Sequence, residues 1–166
     1  MKHVLCVILL FIRMTETNSQ IHHSDTVLGK HNQVNLQSGV YLAAADTSKT
    51  SGFKVYNTDA FYFLGSFPII TMAEVDKIYK DYIPYMNSHV LVFKFNKKGT
   101  KKWSAFTEKH RGEQVALLLK DTLVYTATII EKIWDGIFWL AGGLSETEVD
   151  NFKILFEKEI RQVKSQ

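Results

Sequence analysis

Four side chains near the start of the chain, His22, His23, Asp25 and His31, are of metal-ligating types. A zinc site needs three or four ligands held in tetrahedral geometry. Adjacent histidines on a polar, weakly patterned segment (residues 20–38, QIHHSDTVLGKHNQVNLQS) do not supply that geometry, and no cysteine joins them. No metal is therefore expected. His110 falls at the end of an expected helix, where a cationic ring complements the helix dipole. No serine sits in a nucleophile elbow, no H-E-x-x-H occurs, and Gly142-Gly143 lacks the spacing of a phosphate-cradling loop. Asp121, Glu131 and Asp135 stand beside a hairpin and a strand end, where carboxylates are ordinary. The expectation is a noncatalytic protein without cofactor.

Bulk properties narrow the classes further. Hydrophobic residues make up 46% of the 166-residue chain, and Phe (11), Tyr (7) and Trp (3) are plentiful. Disordered chains are poor in aromatics and high in net charge, so a packed core is expected. The formal charge is only +3. Lys97, Lys98, Lys101 and Lys102 form the one basic run, and Glu108 and Glu113 soon follow it. A nucleic-acid binder concentrates more positive charge on one face, so this run reads as a solvated helix start. The single cysteine, Cys6, leaves the rest of the chain without a disulfide.

Val4 to Ile12 (VLCVILLFI) is an apolar run behind Lys2 and His3. It is shorter than the roughly 20 residues that a membrane helix needs, and it matches a signal-peptide core. Cleavage after Ser19 would leave Gln20 first. The competing reading is a buried first strand. Residues 1–19 are thus expected to be a signal peptide, 20–38 a polar arm and 39–166 one domain, exported to the periplasm or secreted.

The elements that must position any site begin at Gly39. Gly39 to Ala45, Phe53 to Tyr56 and Phe61 to Leu64 are short apolar runs split by turn residues, as in a hairpin or meander. T-M-A-E at Thr71 has the pattern of a capping box. Val75, Ile78, Tyr79 and Tyr82 then recur at helical spacing, and the pattern predicts a helix ended by Pro84. His89 to Phe95 is a central strand, and Asn96 caps a helix from Lys97 to about His110. Gln114 to Leu119 and Leu123 to Ile130 form a hairpin around Lys120-Asp121-Thr122, and Gly136 to Ala141 is a further strand. S-E-T-E at Ser145 opens a last helix with Val149, Phe152, Phe156, Ile160 and Val163 on one stripe. The expected class is α+β, a mostly antiparallel mixed sheet with about three helices on one face, like a ferredoxin-like layer.

From Leu91 to Leu155 the order is F-x-F-N, K-K-G-T-K-K-W, then T-E-K-H-R-G-E-Q-V-A-L-L-L-K-D-T-L-V-Y-T-A-T-I-I. W-D-G-I-F-W-L-A-G-G-L-S-E-T-E-V-D-N-F follows. This order resembles the head of the first periplasmic domain of SecD and fused SecDF translocase subunits. Gly112, Ala116, Leu119, Asp121, Val124, Ala127, Ile130, Gly136, Gly142 and Glu148 stand at the family's positions. Upstream, F-Y-F-L-G-S-F-P-I-I-T-M-A-E-V resembles the family's strand and helix entry, which extends the likeness over roughly Phe61 to Ile160. The family's hairpin D-G is Lys120-Asp121-Thr122 here, and its S-A-P is Thr126-Ala127-Thr128. Nothing in the chain resembles the six transmembrane helices or the intramembrane acidic residues of the translocase subunit. The resemblance therefore implies the fold and an envelope setting, not proton-coupled transport.

Both alternating faces of Ile137-Phe138-Trp139-Leu140 are apolar. With helices on one side, either Phe138 with Leu140 or Ile137 with Trp139 is expected to lie open, unless the N-terminal meander covers them. Tyr125, Phe138, Trp139 and Leu140 are the candidate surface for a protein or extended peptide. Three functions stay in play: a binding module, an accessory subunit of a membrane complex, and an enzyme of unfamiliar type.

Overall fold

The computed structural model describes residues 36–49 and 51–166. The apolar leader and most of the polar arm, with His22, His23, Asp25 and His31, lie outside the described residues.

β1 (Gly39–Ala45) is the hub of a six-stranded antiparallel sheet. It pairs with β3 (Phe61–Leu64), β4 (Ile70–Thr71) and β7 (Gln114–Leu119). β2 (Phe53–Lys54) extends the sheet beyond β3, and β8 (Thr122–Thr128) extends it beyond β7. The sheet curls until Val55 bridges Leu123 and the Tyr56 amide donates to the Leu123 carbonyl at 2.8 Å. Successive strand residues point to opposite faces, so β1 and β7 serve two cores at once. Val40, Val115, Leu117 and Leu119 enter the main core, while Tyr41, Ala43, Ala116 and Leu118 enter a smaller one with Val55, Leu64 and Leu123. The loop after β1 is organised by buried Asp46, which accepts from the amides of Ser48, Ser51 and Gly52 at 3.0, 3.1 and 2.9 Å. The Ser48 hydroxyl and these amides outweigh burial and hold the Asp46 carboxyl at about 2.

β5 (Val75–Ile83), β6 (Ser88–Phe95) and β9 (Ile137–Leu140) form a separate three-stranded antiparallel sheet. The helix expected after Thr71 is thus a strand. Glu74 does reach back to the Thr71 amide at 3.1 Å, but the turn it secures is a three-residue 3-10 turn, Met72–Glu74. A bulge between Val75 and Lys77 inserts one residue, so Val75 and Ile78 face the same side three positions apart. That bulge counterfeits helical spacing. The branched and aromatic content of the segment suits a strand.

Two α-helices are present among the described residues, not about three. α1 (Lys97–Lys109) begins where the Gly99 amide donates to Asn96 Oδ1 at 3.0 Å. Its first turns carry the lysine run, which opposes the helix dipole. The compensation is local: buried Glu74 takes Lys102 at 2.6 Å and Lys98 at 3.9 Å. Burial alone would raise the Glu74 carboxyl, yet the Lys102 ammonium, the Thr71 amide and Lys98 lower it overall. Half of the basic run is therefore anchored. α2 (Glu146–Lys164) begins with the expected box, Glu148 bonding the Ser145 amide at 2.8 Å and receiving its hydroxyl at 2.7 Å.

Both sheets, α1 and α2 enclose the main core. Phe93 meets Phe156 edge-on at 5.0 Å, and Trp103 meets Phe138 at 5.8 Å. Gly136 precedes β9 at φ 66°, and a Cβ there would lie 2.1 Å from the Thr100 hydroxyl. Glycine at this place lets β9 approach α1.

Candidate functional site

The register of the three-stranded sheet decides what it shows to solvent. On the inner face, Phe93 pairs with Phe138 and Leu91 with Leu140. On the outer face, Tyr79, Val92 and Trp139 form one cross-strand row. Val90 and Val92 are only 0% and 1% exposed although they point outward. Tyr79, Trp139, Ile137, Ala141 and Met86 pack against them and against Ile83. Small branched side chains at the centre are thus sheltered by larger ones on the flanking strands. The outer surface is then made of the half-buried rings of Tyr79 and Trp139 beside Ile137.

Its two ends differ in charge. Lys77 and Lys94 are paired in register at one end. The Lys77 ammonium lies 5.2 Å from the Tyr79 ring centroid, and Lys94 donates to the Asp135 carbonyl at 2.9 Å. Like charges directly opposite each other repel, so this end favours an anionic neighbour. At the other end Asp81, in register with Val90, stands on the same face beside Ile83, whereas Tyr82, in register with His89, turns to the opposite face.

The four residues read from sequence as one surface do not share a face. Phe138 and Leu140 belong to the main core, 4% and 1% exposed. Tyr125 is half-buried against the same core, its ring 6.2 Å from Phe138. Burial pushes the Tyr125 phenol up, with the Ala141 amide acting against it. Trp139 alone faces outward. The second of the two expected pairs, Ile137 with Trp139, is the open one, because the meander covers the six-stranded sheet instead. Tyr79 was hidden by the helical reading of its segment. Val90 and Val92 were legible in HVLVFKF, whose two alternating faces are both apolar.

Elsewhere, a groove of about 300 Å³ runs between α2 and the β7–β8 turn, with Tyr56, Leu119, Phe152 and Leu155 in its walls. Glu148 stands on its rim, bound to Tyr56 at 3.1 Å and Asn57 at 2.8 Å. Among the described residues no cluster of three His, Cys, Asp or Glu could hold a metal ion, and no helix is long and apolar enough to cross a membrane.

Comparison with known proteins agrees with this architecture. No curated protein matches the chain. Two solved structures are similar in fold: SecDF in a super-membrane-facing form (20% identity, TM-score 0.52) and a SecDF membrane component described as enhancing protein export (24% identity, TM-score 0.51). Each likeness covers 57% of this chain, and 12% and 42% of the other chains respectively. The chain thus spans less than half the length of either. The family model of the SecDF P1 head subdomain matches residues 48–159, and the chain belongs to that family.

Proposed function

We propose that the chain is a noncatalytic, exported module of the cell envelope that binds protein or extended peptide through the outer face of its three-stranded sheet. The observation that carries this reading is the aromatic row of Tyr79 and Trp139, left without a second layer among the described residues. An apolar sheet face bounded by polar ends is a common mark of a protein contact. One SecDF relative is described as a membrane component that enhances protein export. A role beside export machinery fits that description, with the occupant a polypeptide carrying apolar side chains and acidic residues toward Lys77 and Lys94.

A second reading is an accessory subunit held permanently against a membrane complex. It is favoured by the shallowness of the face: Val90 and Val92 are already sheltered, so a flat folded partner would suit it as well as a strand.

Titration with a reduced, carboxymethylated polypeptide separates the two readings. The module reading expects weak binding without turnover, reduced about tenfold by Trp139→Ser, the size of a modest hot spot. The variant must remain fully folded at the assay temperature, its melting temperature lowered only by the several degrees that partial burial of Trp139 implies. Binding that ignores Trp139→Ser overturns the site. No binding by the parent favours the accessory-subunit reading.

A further inference from the structure

The side of the molecule away from that face carries a second exposed apolar feature. On α2, Asn151, Ile154, Leu155, Lys158 and Arg161 recur at helical spacing along the solvent side, with Ile154 61% and Leu155 48% exposed. Leu155 is the middle residue of Glu146–Lys164. Charge divides around it. Before it lies Glu148, whose partners Ser145, Tyr56 and Asn57 are neutral donors that fix the carboxylate without cancelling its charge. Beyond it Glu157 is ion-paired with Lys153 at 2.7 Å, and Glu159 accepts from the Ser38 hydroxyl at 2.9 Å and keeps its charge. The exposed charges there are those of Lys158, Arg161 and Lys164, which outnumber the half-buried carboxylate of Glu159.

An isologous dimer requires a surface that complements itself across a two-fold axis. Apolar residues at a helix midpoint, with opposite charge on either side, meet that requirement; a contact with an unrelated partner would need no such centring. We propose that α2 is the contact face of a symmetric homodimer in which two copies of the helix cross antiparallel at Ile154 and Leu155. An axis between these residues sets each against the other in the partner. It also brings Asn151 opposite the partner's Lys158 and Glu148 opposite the partner's Arg161. The groove beside Leu155 receives the partner's Ile154. A helix of this length spans about 28 Å, so the interface is at the small, weak end of specific contacts.

The inference does not rest on the binding role of the opposite face. Sedimentation velocity of the full chain over a range of concentrations tests it. Reversible dimerisation is expected, abolished by Leu155→Glu. Asn151 is exposed, so its variants leave the fold intact. Its contact with the partner's Lys158 occurs twice across the axis, so Asn151→Asp should tighten the dimer about tenfold and Asn151→Lys weaken it about tenfold, the scale of two exposed ion pairs. A monomer at every concentration overturns the proposal, as does a dimer indifferent to Leu155→Glu and to both Asn151 variants. Binding of the monomer to anionic phospholipid vesicles through Lys158 and Arg161, without self-association, overturns it as well.

Discussion

In the six-stranded sheet, β1 and β7 send every second side chain into a small core of their own, and the sheet curls until Val55 meets Leu123 over it. In the three-stranded sheet the same alternation sends Val90, Val92, Ile137 and Trp139 to a face that only their own neighbours shelter. One sheet covers its second face with its own backbone, whereas the other does so with rings. The difference follows from what flanks the strands. The meander from Phe53 to Leu64 supplies chain to fold over β1, and the tight β5–β6 connection at Pro84–Met86 supplies none. An apolar sheet face with only a side-chain cover is the place to look for a partner.

The sharpest test of this contrast lies within a single strand. Phe138 and Trp139 are adjacent on β9 but face opposite ways. Phe138→Ala should cost about 4 kcal/mol, since it opens a cavity against Phe93 and Trp103. Trp139→Ala should cost about 1–2 kcal/mol, the value of partial burial. Chemical denaturation of both variants checks the order, and equal losses would mean that the outer face is a true core.

Next in size is Gly136→Ala, expected to cost about 3 kcal/mol. It joins the strain of a side chain at φ 66° to a clash with Thr100. Because Gly136 sets how closely β9 meets α1, the clash part of the loss should be recovered in the double variant with Thr100→Gly, measured against Thr100→Gly alone, while the strain at φ 66° remains. Without recovery, the close approach is not what the glycine serves.

A smaller effect, about 1 kcal/mol, is expected for Ser145→Ala, which removes the acceptor of the Glu148 amide at 3.2 Å. It should lower the melting temperature without changing which face binds.

The last effect is pH-dependent and touches each sheet through one carboxylate. Asp46, held at about 2, anchors the loop after β1, and Glu74, also lowered, ties the three-stranded sheet to α1. Both groups have folded values below their unfolded ones. Their stabilisation is complete above the unfolded values near about 4 and is lost as pH falls through the folded values. Melting temperature should drop between about pH 4 and 2, and Asp46→Asn should flatten the lower part of that drop. A parent curve level down to about pH 2 would show that neither carboxylate matters to stability.

Much of the scaffold was readable residue by residue. Asn96 and Ser145 cap the two α-helices as their types require, and Lys120, at φ 53°, turns the β7–β8 hairpin where the sequence breaks its apolar runs. These features depend on neighbours within four positions, so local chemistry was enough. The order of motifs from Phe61 to Ile160 also carried the family. The fate of Val75 to Ile83 was not readable, because a bulge at Asp76 produces helical spacing in a strand. Only pairing with β6 declares it. The division into two sheets was hidden too: β1 finds β7 some seventy residues away, and nothing local chooses that partner. The candidate site suffered from the same gap. Alternation tells that Phe138 and Trp139 face apart, whichever way the strand is turned. Which of them meets Phe93 and Trp103, and which is left to solvent, was decided when β9 docked on β6 over α1.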